Sequence, residues 1–116
     1  MAHTKANVII VSLGLLLMSA CTSPQPNTEI TNKTKTIDTV LIQNMVFTPD
    51  SISVSSGSTV VFINKDMVDH TVTDQADTSH SSGMIHSDSA YTLKADKSFN
   101  YYCMIHPVMK GKLVVH

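Results

Sequence analysis

From Ile37 onward, apolar and polar positions alternate with a period of two. Ile37, Thr39 and Leu41 alternate with Asp38, Val40 and Ile42. Successive side chains of a strand point to opposite faces, so this is strand periodicity. Ile52-Ser53-Val54 repeats the pattern, and Ser55-Ser56-Gly57-Ser58 then turns the chain. Thr59 to Ile63 is β-branched and aromatic, the composition of a buried strand. Thr71-Val72-Thr73, Tyr91 to Lys94, Phe99 to Cys103 and Lys112 to Val115 supply further strands. Beyond the N-terminal apolar run no window keeps a helical period. Short strands separated by Gly, Pro, Asn and Ser turns predict an all-β chain folded as an antiparallel β-sandwich. Asp74 to Ala90 is polar and Ser-rich, and is read as an excursion loop with little regular structure.

The N-terminus carries a different pattern. Lys5 precedes an apolar run from Val8 to Met18. This is shorter than the ~20 residues that a bilayer core requires, and it suits the apolar region of a secretory signal better than an uncleaved anchor. Leu17-Met18-Ser19-Ala20-Cys21 resembles a bacterial lipobox, which implies cleavage before Cys21 and lipid attachment to its sulfur. The alternative is ordinary cleavage near Ala20 with Cys21 left free. Thr22 to Thr36 holds two Pro, many Thr and Asn and a single aliphatic residue, Ile30, too little to bury. The expected organisation is therefore residues 1–20 as signal peptide, 21–36 as lipidated N-terminus and tether, and 37–116 as the folded domain. The expected location is exported, periplasmic or at the cell surface, and membrane-anchored, since multiple acyl chains anchor firmly.

Composition narrows the function. Eight Lys against nine acidic residues give a net charge of −1, which excludes a basic track for nucleic acid. Four Gly leave no room for a phosphate-cradling loop, and two Cys cannot staple a mini-protein. Seven Met and six His are many for this length, and these are soft or borderline copper ligands.

The candidate chemistry lies in Cys103-Met104-Ile105-His106-Pro107-Val108-Met109, where Cys, His and Met recur at intervals of three. A loop between two strands can wrap such residues round one point. His70, at the exit of the segment beginning at Asn64, supplies a second imidazole. Two His, one thiolate and a distant thioether form the trigonal blue-copper set. The bland readings are a buried thiol for Cys103, hydrogen-bonded structural imidazoles for His70 and His106, and core packing for Met109. Zinc binds similar ligand sets.

At these residues the sequence resembles the cupredoxins, small type 1 blue copper proteins, and among them most the amicyanins and plastocyanins. The carrying residues are Ile42, Asn44, Phe47, Pro49, Ile52, Gly57, Thr59, Val60, Phe62, Asn64 and His70-Thr71-Val72. Most specific is Phe99-x-Tyr101-x-Cys103-x-x-His106-Pro107-x-Met109-x-Gly111-Lys112-x-Val114-Val115. The Cys-x-x-His-x-x-Met spacing is that of the short amicyanin ligand loop. The resemblance covers about residues 38–116. It implies a Greek-key sandwich and one copper per chain, with His70, Cys103 and His106 as strong ligands and Met109 as a weak axial one. It also implies that the amide of Thr71, where relatives often have Asn, faces the thiolate. Asp69 stands where relatives often have Pro, and its carboxylate could tune the site or face water.

The implied function is electron transfer between Cu(II) and Cu(I) in a monomer that is not an enzyme. Redox partners would dock on an apolar patch of Met104, Ile105, Pro107 and Val108 around His106. Copper transport, storage or resistance is the alternative. It draws on Met67, His80, Met84 and His86, where Met84-Ile85-His86 echoes Met104-Ile105-His106. These residues are read instead as a solvated loop with Met84 packed over the copper site. A copper oxidase or reductase would need a second centre with more His ligands than one domain supplies. His116 and the five lysines Lys65, Lys94, Lys97, Lys110 and Lys112 receive no role.

Overall fold

Eight strands and no helix make up residues 36–116, which, with the isolated Gly14, are the residues described by the computed structural model. The expected signal peptide, Cys21 and the tether up to residue 35 lie outside the described residues. The strands are β1 (Ile37–Gln43), β2 (Val46–Thr48), β3 (Ser51–Val54), β4 (Thr59–Asn64), β5 (Thr73–Asp74), β6 (Ala90–Lys94), β7 (Phe99–Tyr102) and β8 (Lys110–Val115). They form two four-stranded sheets, in the orders β2-β1-β4-β6 and β3-β8-β7-β5.

The all-β sandwich expected from the period of two is therefore present, with one difference. β1 runs parallel to β4 and β3 runs parallel to β8, so each sheet is mixed. Alternation fixes which face is buried but is blind to the direction of the neighbour. β1 is the exception, because apolar residues occupy both of its faces. Val40 and Ile42 point in and are fully buried, while Ile37 and Leu41 face out.

The core between the sheets is built on aromatic rings. Tyr101 is fully buried, with Phe47 at 5.0 Å and Phe62 at 5.3 Å, both edge-on, and Phe99 at 6.0 Å. Edge-to-face pairs of this kind contribute about 0.5–1.5 kcal/mol each beyond area burial. The Tyr101 hydroxyl has no hydrogen-bond partner among the described residues. Burial, and to a lesser degree the Asp50 carboxylate, hold the phenol above its ordinary pKa, so it stays neutral. On β8, Gly111 lies opposite Tyr101 in the ladder. A Cβ at Gly111 would stand 2.5 Å from Oη and closer still to the ring carbons Cε2 and Cζ. The glycine is what lets β8 lie across that ring.

The Asp74–Ala90 segment has little regular structure, as expected, yet it is pinned. His70 and Ile85 form an antiparallel bridge with reciprocal backbone bonds of 3.2 and 2.8 Å, and Ile85 enters the core. Met84, expected to pack over the metal site, instead faces outward and is 58% exposed. Adjacent residues of an extended segment point to opposite sides, and Ile85 takes the inward one.

Candidate metal centre

The site sits at one end of the sandwich, where two connections meet. One runs from β4 to His70, and the other joins β7 to β8. The first is shaped by Asn64, the buried last residue of β4. Its Nδ2 donates to the carbonyls of Val68 (2.8 Å) and Ile85 (2.9 Å), and its Oδ1 accepts from the amide of Asp66 (2.9 Å). One amide side chain thus ties the 65–69 turn to the excursion loop.

Asp66 links that turn to His70. Its Oδ2 accepts from His70 Nε2 at 2.9 Å. An ionised carboxylate has only acceptors, so the proton of this bond is on Nε2 and the Nδ1 lone pair of a neutral ring is free for a metal. The same carboxylate accepts from the amides of Asn44 (2.7 Å) and Met45 (3.0 Å). These two residues form the β1–β2 turn with φ of 57° and 62°. Left-handed backbone costs roughly 1–2 kcal/mol at a non-glycine residue, and the charge-assisted bonds to Asp66 offset it. Burial alone would raise the Asp66 pKa. The Met45 and Asn44 amides and the His70 ring overcome that and hold it below the ordinary value of 3.8.

In the second connection Cys103 follows β7 directly, and its amide donates to the carbonyl of Met109 at 3.1 Å. The Met109 amide donates in turn to the carbonyl of His106 at 2.9 Å. These bonds fold residues 103–109 into a tight loop continuous with the β7–β8 ladder. The Thr71 amide donates to Cys103 Sγ at 3.4 Å, and Thr71 Oγ1 accepts from the amide of Met104 at 2.8 Å. Asp69, whose orientation the sequence left open, accepts from His86 Nδ1 at 2.9 Å.

Together these contacts bring three donors to one point. Cys103 Sγ lies 3.7 Å from His70 Nδ1 and 3.8 Å from His106 Nδ1, and the two Nδ1 atoms are 3.3 Å apart. A point in their plane equidistant from all three lies about 2.1 Å from each, within the usual range of ~2.0–2.3 Å for metal–nitrogen and metal–sulfur bonds. The spacing fits a single ion with no rearrangement of the three side chains. His70 and Cys103 are fully buried and His106 is partly exposed. Among the described residues this is the one group of three or more His, Cys or carboxylate donors placed to hold a metal. Met109 is buried next to it in sequence and carries no charge to neutralise.

The remaining sequence candidates separate. Met104, Ile105, Pro107 and Val108 are all exposed round His106, with Val108 at 88%. His80 pairs with Asp77 at 3.0 Å and His86 with Asp69, so these two histidines engage separate carboxylates. Sequence reasoning missed Asp66, and it named Asn64 without giving it a role in the site. The signal available was a carboxylate four residues before His70 and an Asn at the end of an apolar strand.

A partner in this position orients the ring and raises its basicity. Asp66→Asn is expected to weaken metal binding about 10-fold to 100-fold, measured by competition with a chelator of known affinity. Because the Asp66 pKa is depressed on folding, its stabilisation is present above 3.8 and is lost as pH falls through the folded value. Wild type should therefore lose this stabilisation in acid while the Asn variant does not, which chemical denaturation across that range reads directly.

Residues 34–116 match the family described as copper binding proteins, plastocyanin/azurin family. Amicyanin of Paracoccus versutus is 26% identical over 80 residues, covering 64% of this chain, and the chain spans 61% of that relative's length. Among solved structures, a reduced Cu(I) form of an amicyanin proline-to-glycine variant superposes with a TM-score of 0.62 at 28% identity, covering 69% of this chain and 82% of that one. The crystal structure of Paracoccus versutus amicyanin gives the same TM-score at 24% identity, covering 69% and 81%.

Proposed function

Because the chain belongs to the plastocyanin/azurin family of copper-binding proteins, we propose that it is an electron carrier that acts through His70, Cys103, His106 and Met109. The carrying observation is the triangle of Nδ1, Sγ and Nδ1, buried on two sides and open beside His106. When bound there, copper supplies a one-electron couple between Cu(II) and Cu(I), and the thiolate and thioether favour the reduced ion.

The protein's part is to keep the donors still while charge changes. His70 is held from behind by Asp66, and Cys103 Sγ is held by the Thr71 amide. Neither ring nor sulfur has to move, so little reorganisation opposes the transfer. Met109, buried in the same loop, would add a weak thioether donor to the set. No bond of a substrate is made or broken. The similarity to amicyanins, one of them solved as a Cu(I) form, supports this reading.

Electrons pass by way of His106, the donor that solvent reaches. Met104, Ile105, Pro107 and Val108 give a partner protein an apolar docking surface there, and exposed apolar patches mark such surfaces. The redox domain works as a monomer. Export by the segment 1–20 and lipid attachment at Cys21 would hold it at a membrane surface, with residues up to 36 as tether.

The patch is tested through electron self-exchange, in which two copies meet at the same surface. Val108→Lys places a charge at its most exposed residue. Like-charge juxtaposition at an interface costs several kcal/mol, so self-exchange measured by NMR line broadening should fall at least about tenfold. The visible spectrum should be unchanged. Undiminished self-exchange would show that electrons leave by another face.

A further inference from the structure

Asp66 differs from the other acidic groups near the metal centre in where its charge is directed. Its Oδ2 accepts from His70 Nε2 at 2.9 Å, across a ring whose Nδ1 faces Cys103 Sγ. The ring has no solvent exposure and the carboxylate only 14%, so water screens the pair weakly. The adjacent cation, Lys65, is drawn away to Asp88 at 3.2 Å. Asp69 is paired with His86 at 2.9 Å. Among the described residues no carboxylate bonds His106, the other imidazole of the triangle. The two rings are therefore inequivalent, and only His70 has a charge behind it.

Charge balance gives this arrangement a sign. With the Cys103 thiolate and the Asp66 carboxylate both in place, a divalent ion makes the group neutral, whereas Cu(I) leaves one negative charge. Without the carboxylate, the divalent ion leaves one positive charge and Cu(I) leaves none. Net charge is unfavourable in a largely desolvated site, and a nearby anion favours the more positive ion. We propose that Asp66, acting through His70, biases the triangle toward divalent ions: it stabilises Cu(II) and Zn(II) over Cu(I) and lowers the reduction potential of bound copper. This opposes the pull of thiolate and thioether toward Cu(I). No step is added to the couple. One electron arrives from the partner protein, the Nε2 proton stays on the ring, and no ligand bond breaks. The inference rests on the triangle being the copper site.

Asp66→Asn removes the charge and Asp66→Glu keeps it. Voltammetry of the copper-loaded chains should place the Asn variant about 59 mV or more above wild type, the equivalent of a tenfold larger loss for Cu(II) than for Cu(I) in a one-electron couple. The Glu variant should lie closer to wild type than to the Asn variant. Chelator competition reads the same bias without electron transfer. Zn(II) affinity of the Asn variant should fall about tenfold, the lower end of what such partners contribute, while Cu(I) affinity changes little. The Asn44–Met45 turn also leans on Asp66. Both measurements are therefore repeated on Met45→Gly and Met45→Gly/Asp66→Asn, where glycine adopts the φ of 62° without that support. The same shift is expected between these two chains. An unchanged or lowered potential without the charge, a Glu variant displaced as far as the Asn one, or equal losses of Zn(II) and Cu(I) affinity would each overturn the role of Asp66 alone. A wild-type chain that binds no copper at the triangle would overturn both it and the reading it rests on.

Discussion

Gly111→Ala is expected to destabilise the domain by about 3 kcal/mol, the upper part of the usual range for overpacking. The ring it meets has nowhere to go. Tyr101 is enclosed by Phe47, Phe62 and Phe99 at centroid distances of 5.0 to 6.0 Å, and the new Cβ would fall on Cε2, Cζ and Oη. Well-packed interiors transmit such strain rather than absorb it. The relief available is for β8 to move off β7. That would break the register Tyr101–Gly111 and Tyr102–Lys110, and with it the Cys103–Met109 backbone bond that closes the ligand loop. For a domain of about 80 residues the loss corresponds to roughly 15 °C in Tm. The copper-loaded variant should also show a shifted visible band. A Tm within a few degrees of wild type would show that the ring has freedom the packing denies.

Cys103→Ser should abolish the thiolate-to-copper absorption altogether and remove most of the stabilisation that metal confers. A Ser hydroxyl does not ionise near neutral pH, so two imidazoles and a thioether would be left to hold the ion. The fold itself should survive, because the hydroxyl keeps an acceptor for the Thr71 amide that now meets Sγ at 3.4 Å. With copper at a thousandfold excess over Kd, wild type should gain about 4 kcal/mol from binding. The Ser variant should gain little under the same conditions. Thermal melts of both chains with and without Cu(II) separate the metal contribution from any change in the apo fold. Equal shifts in the two chains would mean that the sulfur is not a ligand.

The parts of this fold legible in the sequence are those encoded by local pattern. Val60, Phe62 and the alternation through β4 mark a half-buried strand, and Cys103, His106 and Met109 fall in one short loop where spacing alone juxtaposes them. His70 was legible by type, as the second imidazole that the set requires. Other features depend on partners that alternation does not encode. The parallel pairing of β1 with β4 leaves no trace in a period of two. β2 has three residues, too few to show a period. Ile85 sits in a polar segment, and its burial follows from the bridge to His70 rather than from its neighbours. Asn64 and Asp66 act through bonds to backbone groups up to 22 residues away. Their roles become visible only when the turn at Asn44 and Met45 and the loop at Ile85 are folded against them. Met84 was misplaced for the same reason, since its orientation is set by Ile85.

The account stands on three donors meeting at one point to hold one copper. Titration of the apoprotein with Cu(II), followed in the visible region, tests this most directly. The arrangement predicts an intense blue thiolate charge-transfer band that grows linearly and stops at one copper per chain. A colourless complex, or blue colour that persists when Cys103 is replaced by Ser, would contradict it.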